Sequence, residues 1–74
     1  MSANAVLKQI IDERELSHEG AARLLDVSTS YITSLLIGRK PVTFGVLGRV
    51  YFVMGGEAAD RLIDAMQPEE RDRA

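Results

Sequence analysis

Residues 16–43 read LSHEGAARLLDVSTSYITSLLIGRKPVT, and this run carries the signals of two short helices joined by a tight turn. Ser17 can cap the first helix, because a serine hydroxyl accepts a hydrogen bond from an N–H that the opening turn leaves unpaired. Glu19 falls in that turn, where the positive end of the helix dipole suits an acid. Ala21, Ala22, Leu24 and Leu25 supply an apolar side. Asp26 then breaks the pattern, and Asp and Asn enter the left-handed region at less cost than other side chains. Ser28 is a second cap, opening a helix through about Leu36 that buries Ile32, Leu35 and Leu36. Gly38 can end that helix in a left-handed conformation, and Arg39-Lys40-Pro41 reads as a loop. Helices that cross at about 90–120° over a three- or four-residue turn need a small residue at the crossing, and Ala22 can serve. Leu25, Val27, Ile32 and Leu35 can then lock the pair. Ser28, Thr29, Ser30, Thr33 and Ser34 leave a row of short polar side chains on the second helix.

Outward from this core of the reading, three more helices are expected. Ser2 can cap a first helix with Ala3, Leu7, Ile10 and Ile11 on one face and Val6 at its border. Asp12 to Glu15 form a charged end, after which Leu16 returns to the interior. Thr43 can cap a fourth helix over Phe44–Met54, with Phe44, Leu47, Tyr51 and Met54 at helical spacing. Gly45, Gly48 and three valines are poor helix formers, so Val46–Met54 also reads as a buried strand. The length of the run, and the lack of a second strand to pair with, favour the helix. Gly55-Gly56 breaks the chain. A fifth helix follows over about Glu57–Met66 with Ala59, Leu62, Ile63 and Met66 on one face, and Pro68 stops it. The expected fold is all-α, a compact five-helix bundle over residues 1–67. Residues 68–74 form a charged tail expected to be flexible.

Seventy-four residues hold one domain. With no cysteine there is neither a disulfide framework nor a thiolate metal site. An apolar share of 46% is too high for a disordered chain. No basic start runs into an apolar stretch, and no stretch approaches the ~20 apolar residues of a membrane span, so a cytoplasmic protein is expected. The net charge is −2, yet every acid lies at or before Asp26 or at or after Glu57. Between them the only charged side chains are Arg39, Lys40 and Arg49. A local basic face can meet phosphates on a molecule that is acidic as a whole.

The segment resembles the helix-turn-helix of the lambda repressor and Cro family, also called the xenobiotic-response-element-like family. The matching places are Leu16-Ser17-His18-Glu19, Ala22, Asp26-Val27-Ser28, Ser30-Tyr31-Ile32-Thr33 and Gly38-Arg39-Lys40. The five-helix plan is also similar, so the resemblance extends over roughly residues 3 to 66. It implies a small transcriptional regulator whose third helix enters the major groove of duplex DNA. Thr29, Ser30, Thr33 and Ser34 would then face base edges, where hydroxyls donate or accept and a threonine methyl can meet a thymine methyl. His18, Ser28, Tyr31, Arg39 and Lys40 would touch the backbone, which sets position rather than sequence choice. In that family the last helix often builds the dimer, so a homodimer through Phe52, Val53, Leu62 and Ile63 is expected, reading half-sites about 34 Å apart.

Plainer readings accompany each of these residues. Ser28 caps a helix whatever the function. Tyr31 can pack against its neighbour, the hydroxyl row can be a solvated face, and His18 can be a lone surface histidine. The chain also departs from the family. Leu36-Ile37 stands where many relatives carry a polar or charged pair, and the third helix lacks Arg, Lys, Gln and Asn. Such a helix forgoes the bidentate base contacts worth ~1–3 kcal/mol each and relies more on DNA shape. A protein-binding module of the antirepressor or antitoxin kind, docking through Leu36, Ile37 or Phe52, is the alternative. Nothing points to an enzyme, a cofactor, a metal site, a small-molecule substrate or a membrane partner. The chain has one histidine, no phosphate loop after a strand, and no carboxylates at ligand spacing.

Overall fold

A computed structural model describes residues 1–66, and the tail expected at 68–74 lies outside them. Five helices follow in order: α1 (Ala3–Glu13), α2 (His18–Leu25), α3 (Thr29–Leu36), α4 (Phe44–Met54) and α5 (Gly56–Met66). No strand occurs among the described residues. Four of the helix starts are capped as their sequences suggest. Ser2, Ser17, Ser28 and Thr43 have extended backbones, and their hydroxyls accept from the N–H of Ala5, Gly20, Tyr31 and Val46 at 3.0–3.2 Å. Asp26 takes the left-handed conformation at φ 59°, ψ 47°, and its N–H donates back to α2 carbonyls.

Helix α1 packs on α3 and α5, α2 on α3 and α4, and α4 on α5. One apolar core runs through all five, with Leu7, Ile10, Ile11, Leu25, Ile32, Leu35, Val50 and Leu62 almost wholly enclosed. The side of α1 that packs is Val6, Leu7, Ile10 and Ile11, with Ala3 only half-buried. On α2, Leu24 faces outward rather than joining the apolar side.

Helix α4 departs most from expectation. It buries Val46, Val50 and Met54, while Phe44 and Tyr51 stand exposed and Leu47 is half-buried. The segment FGVLGRVYFVM is apolar on nearly every side, so its periodicity cannot choose a face. Two polar anchors fit the observed rotation. The Arg49 guanidinium donates to the Leu25 and Asp26 carbonyl oxygens at 3.0 and 3.2 Å, and Arg14 donates to the Met54 carbonyl at 3.0 Å. Presenting Phe44 and Tyr51 to the core would swing Arg49 away from the end of α2. On α5, Ala58, Ala59 and Leu62 are buried, while Ile63 and Met66 are half-buried.

Candidate nucleic-acid interface

Helices α2 and α3 pack together across the connection Asp26-Val27-Ser28. Ala21, Ala22 and Leu25 of α2 meet the same core as Ile32, Leu35 and Leu36 of α3. With those residues inward, α3 turns its hydroxyl row out. Thr29 and Ser30 are exposed, and Thr33 and Ser34 are half-buried along the same helix. Ser28 is also exposed, its hydroxyl engaged with the Tyr31 N–H at 3.1 Å.

The flanking residues converge on this face. His18, the first residue of α2, lies with Nδ1 3.1 Å from the Thr33 hydroxyl oxygen. After α3, Gly38 takes φ 82°, a conformation that a side chain would strain. The chain then folds back, so that the Arg39 and Lys40 N–H groups donate to the Ser34 carbonyl at 2.8 and 3.3 Å. Lys40 Nζ sits 5.4 Å from the centre of the Tyr31 ring, within the range of a cation–π contact. Tyr31 is half-buried against the core. Its ring therefore packs inward on one side and steadies a lysine on the other.

The electrostatics follow from which cations are engaged. Lys8, Arg49 and Arg61 pair with Asp12, Asp26 and Glu13, and Arg14 holds the Met54 carbonyl. Among the described residues Arg23, Arg39 and Lys40 have neither a carboxylate nor a carbonyl partner for their charge, and all three lie on or beside α2 and α3. Asp26 is the acid nearest in sequence to this group, and it pairs with Arg49; Glu19, with Arg23, Ser28 and Thr29, lines a shallow depression between the helices.

Two residues that position this face have no such role in the sequence reading, where Asn4 is absent and Arg49 is counted only as a charge. Asn4, in the first turn of α1, donates from Nδ2 to the Leu35 and Lys40 carbonyl oxygens, both at 2.8 Å. It thereby ties the end of α3 to the basic loop. Arg49 holds the other end, at the α2 terminus. As the single charge on an apolar helix, Arg49 carried a usable signal; an asparagine in a first helical turn carries none.

The residues expected at a dimer contact separate. Phe52 and Val53 are exposed at 89% and 42%, and Ile63 is half-buried. Leu62 is fully enclosed in the protomer core, which corrects its assignment to a contact between protomers. Leu36 is likewise buried, so of the Leu36-Ile37 pair only Ile37 presents a surface. An apolar groove between α4 and α5, lined by Phe44, Leu47, Gly48, Tyr51, Ala59 and Ile63 with Asp60 at its side, adjoins the exposed Phe52. Among the described residues no group of three or more His, Asp or Glu lies together, and no helix is long and apolar enough to cross a membrane.

No protein-family model, curated protein or solved structure matches the chain.

Proposed function

We propose that the protein is a helix-turn-helix regulator of the lambda repressor and Cro kind. It binds duplex DNA sequence-specifically as a homodimer in the cytoplasm, with α3 in the major groove. The observation that carries this reading is the division of the cations among the described residues: those with no carboxylate or carbonyl partner there, Arg23, Arg39 and Lys40, flank a row of outward hydroxyls on α3. Phosphates would meet Arg39, Lys40 and His18, and base edges would meet Thr29, Ser30, Thr33 and Ser34. The resemblance of residues 16–40 to that family is the second support.

The partner protomer is proposed to lie on the α4 side. Phe44, Tyr51 and Phe52 together expose roughly 400 Å² of aromatic surface, about half of the ~800 Å² per partner in a standard interface. Arg49 is the only charge on α4, and it is occupied at α2. A two-fold pairing of α4 with itself therefore opposes no like charges.

A salt titration of DNA binding tests the reading. Each phosphate contact contributes about −0.9 to the slope of log affinity against log salt. Arg39→Ala/Lys40→Ala, changed in both protomers, is expected to flatten that slope by about 3 to 4. Thr29→Ala/Ser30→Ala is expected to reduce discrimination between sites and leave the slope in place. Folded protein that binds neither the DNA beside its own gene nor unrelated duplexes at low salt would overturn the proposal. The second reading, a protein-binding module, is favoured by Ile37 and Phe52, exposed at 61% and 89%. Binding through those residues would be nearly insensitive to salt.

A further inference from the structure

We infer that His18 is a specificity-determining residue that acts through Thr33, by setting whether the Thr33 hydroxyl donates to a base or accepts from one. The inference rests on the proposed DNA-binding function. Its basis is the contact of His18 Nδ1 with Thr33 Oγ1 at 3.1 Å. This contact joins the start of α2 to the middle of the hydroxyl row on α3.

A threonine hydroxyl has one proton, so engaging that proton with one partner removes it from any other. A neutral imidazole whose proton sits on Nε2 presents a lone pair at Nδ1. Thr33 then donates to His18, and only its oxygen lone pairs remain for DNA. Those lone pairs suit the amino group of cytosine or adenine in the major groove. An imidazolium instead donates from Nδ1 to Thr33. The hydroxyl proton is then free to point at N7 or O6 of guanine, N7 of adenine or O4 of thymine. A phosphate oxygen accepting from Nε2–H, the backbone contact proposed for His18, keeps the proton on Nε2 and selects the first arrangement for the neutral ring. Once DNA covers the pair, a donor facing a donor loses its water without compensation, and the mismatch becomes costly.

Histidine changes charge between about pH 5 and 8, which gives an experimental handle on the two arrangements. The ionisable surroundings of His18 are few. Helix α3 has no charged side chain, and Tyr31 is its one titratable group. Helix α2 adds Glu19 and Arg23. Arg14 and Glu15 precede α2, and Arg14 is held by the Met54 carbonyl. On α4, Arg49 lies at the opposite end of α2, bonded to the Leu25 and Asp26 carbonyls, and Tyr51 is exposed. None of the acids or bases among these makes a hydrogen bond to Thr33 in its place.

The test is selection from a randomised duplex library at pH 5.5 and pH 8.5, with folding at both checked by circular dichroism. Wild type is expected to change its favoured base at one position of the site, from one offering an amino group at pH 8.5 to guanine or thymine at pH 5.5. The change in preference should be about five- to ten-fold. His18→Gln and Thr33→Val should each abolish the change. A histidine that only touched phosphate would alter overall affinity with pH and leave base preference fixed, so preference is the readout. An enriched site whose bases are the same at both pH values would overturn the inference while leaving DNA binding intact. Absence of any DNA binding would overturn both. In the free protein, nitrogen NMR of His18 should differ between wild type and Thr33→Val. Identical Nδ1 chemical shifts at pH 8.5 would show that the pair does not form, and would also overturn the inference.

Discussion

Glu15 and Asp26 are the two non-glycine residues with positive φ among the described residues, at 56° and 59°. The left-handed region costs an ordinary side chain about 1–2 kcal/mol. Glu15 is exposed, just after α1. Glu15→Gly relieves that cost against the extra freedom glycine has when unfolded. We expect a gain of about 0.5–1 kcal/mol in urea unfolding. Asp26 meets the same backbone demand with a side chain that tolerates it, and its carboxylate lies 3.7 Å from Arg49. Asp26→Val places a β-branched side chain there and should lower stability by about 1–2 kcal/mol. Equal unfolding midpoints for these two variants would show that neither backbone conformation is maintained in solution.

At the scale of elements, α4 and its anchors decide how the candidate interface is held. Arg49 bonds two carbonyls at the end of α2, where the helix dipole also favours a cation. Arg49→Met keeps the aliphatic stem and removes the bonds. It is expected to cost about 1 kcal/mol by thermal unfolding. Its amide exchange should rise most at the Asp26-Val27-Ser28 connection, and a rise spread evenly over the chain would argue against a local anchor. The caps, the turn at Asp26 and the inward residues of α3 were legible in the sequence because each depends on neighbours within a few positions. The rotation of α4 was not, because it depends on contacts from Arg49 to Leu25, 24 residues away, and from Arg14 to Met54, 40 residues away. The same limit explains the site. Thr29, Ser30 and the basic pair could be read from the motif, whereas Asn4 reaches Lys40 across 36 positions and has no local signal. Leu62 was misassigned for a related reason: an amphipathic stripe shows that a residue is covered, and not which chain covers it.

For the whole molecule, two long-range features set conditions for stability and assembly. Arg61 closes α5 onto the end of α1 with paired bonds to the Glu13 carboxylate at 2.8 and 2.9 Å. Those hydrogen bonds hold the Glu13 carboxyl below its ordinary value of 4.5, with Arg61 and Arg14 adding charge attraction against some desolvation. A carboxyl with a lowered folded-state pKa contributes stability that is whole above the unfolded value and is lost as pH falls through the folded one. The Tm difference between wild type and Glu13→Gln should therefore be constant near neutrality and shrink below pH 4.5. A difference unchanged into strong acid would mean that the pair is not formed. The α4 face supplies the second condition. Gly48 is exposed inside α4, and a Cβ placed there meets nothing within 4 Å, so the single protomer has no steric need for glycine. In the helix interior glycine costs about 1 kcal/mol relative to alanine. If α4 packs against a second copy, the missing side chain serves close approach between protomers. Gly48→Ala is then expected to raise the Tm of dilute, monomeric protein while weakening self-association in sedimentation. Phe52→Asp, which places like charges across the two-fold, should abolish association and weaken DNA binding without lowering the monomer's Tm. Gly48→Ala that leaves self-association unchanged would remove α4 from the protomer contact, and the exposed aromatic surface would then belong to a different protein partner.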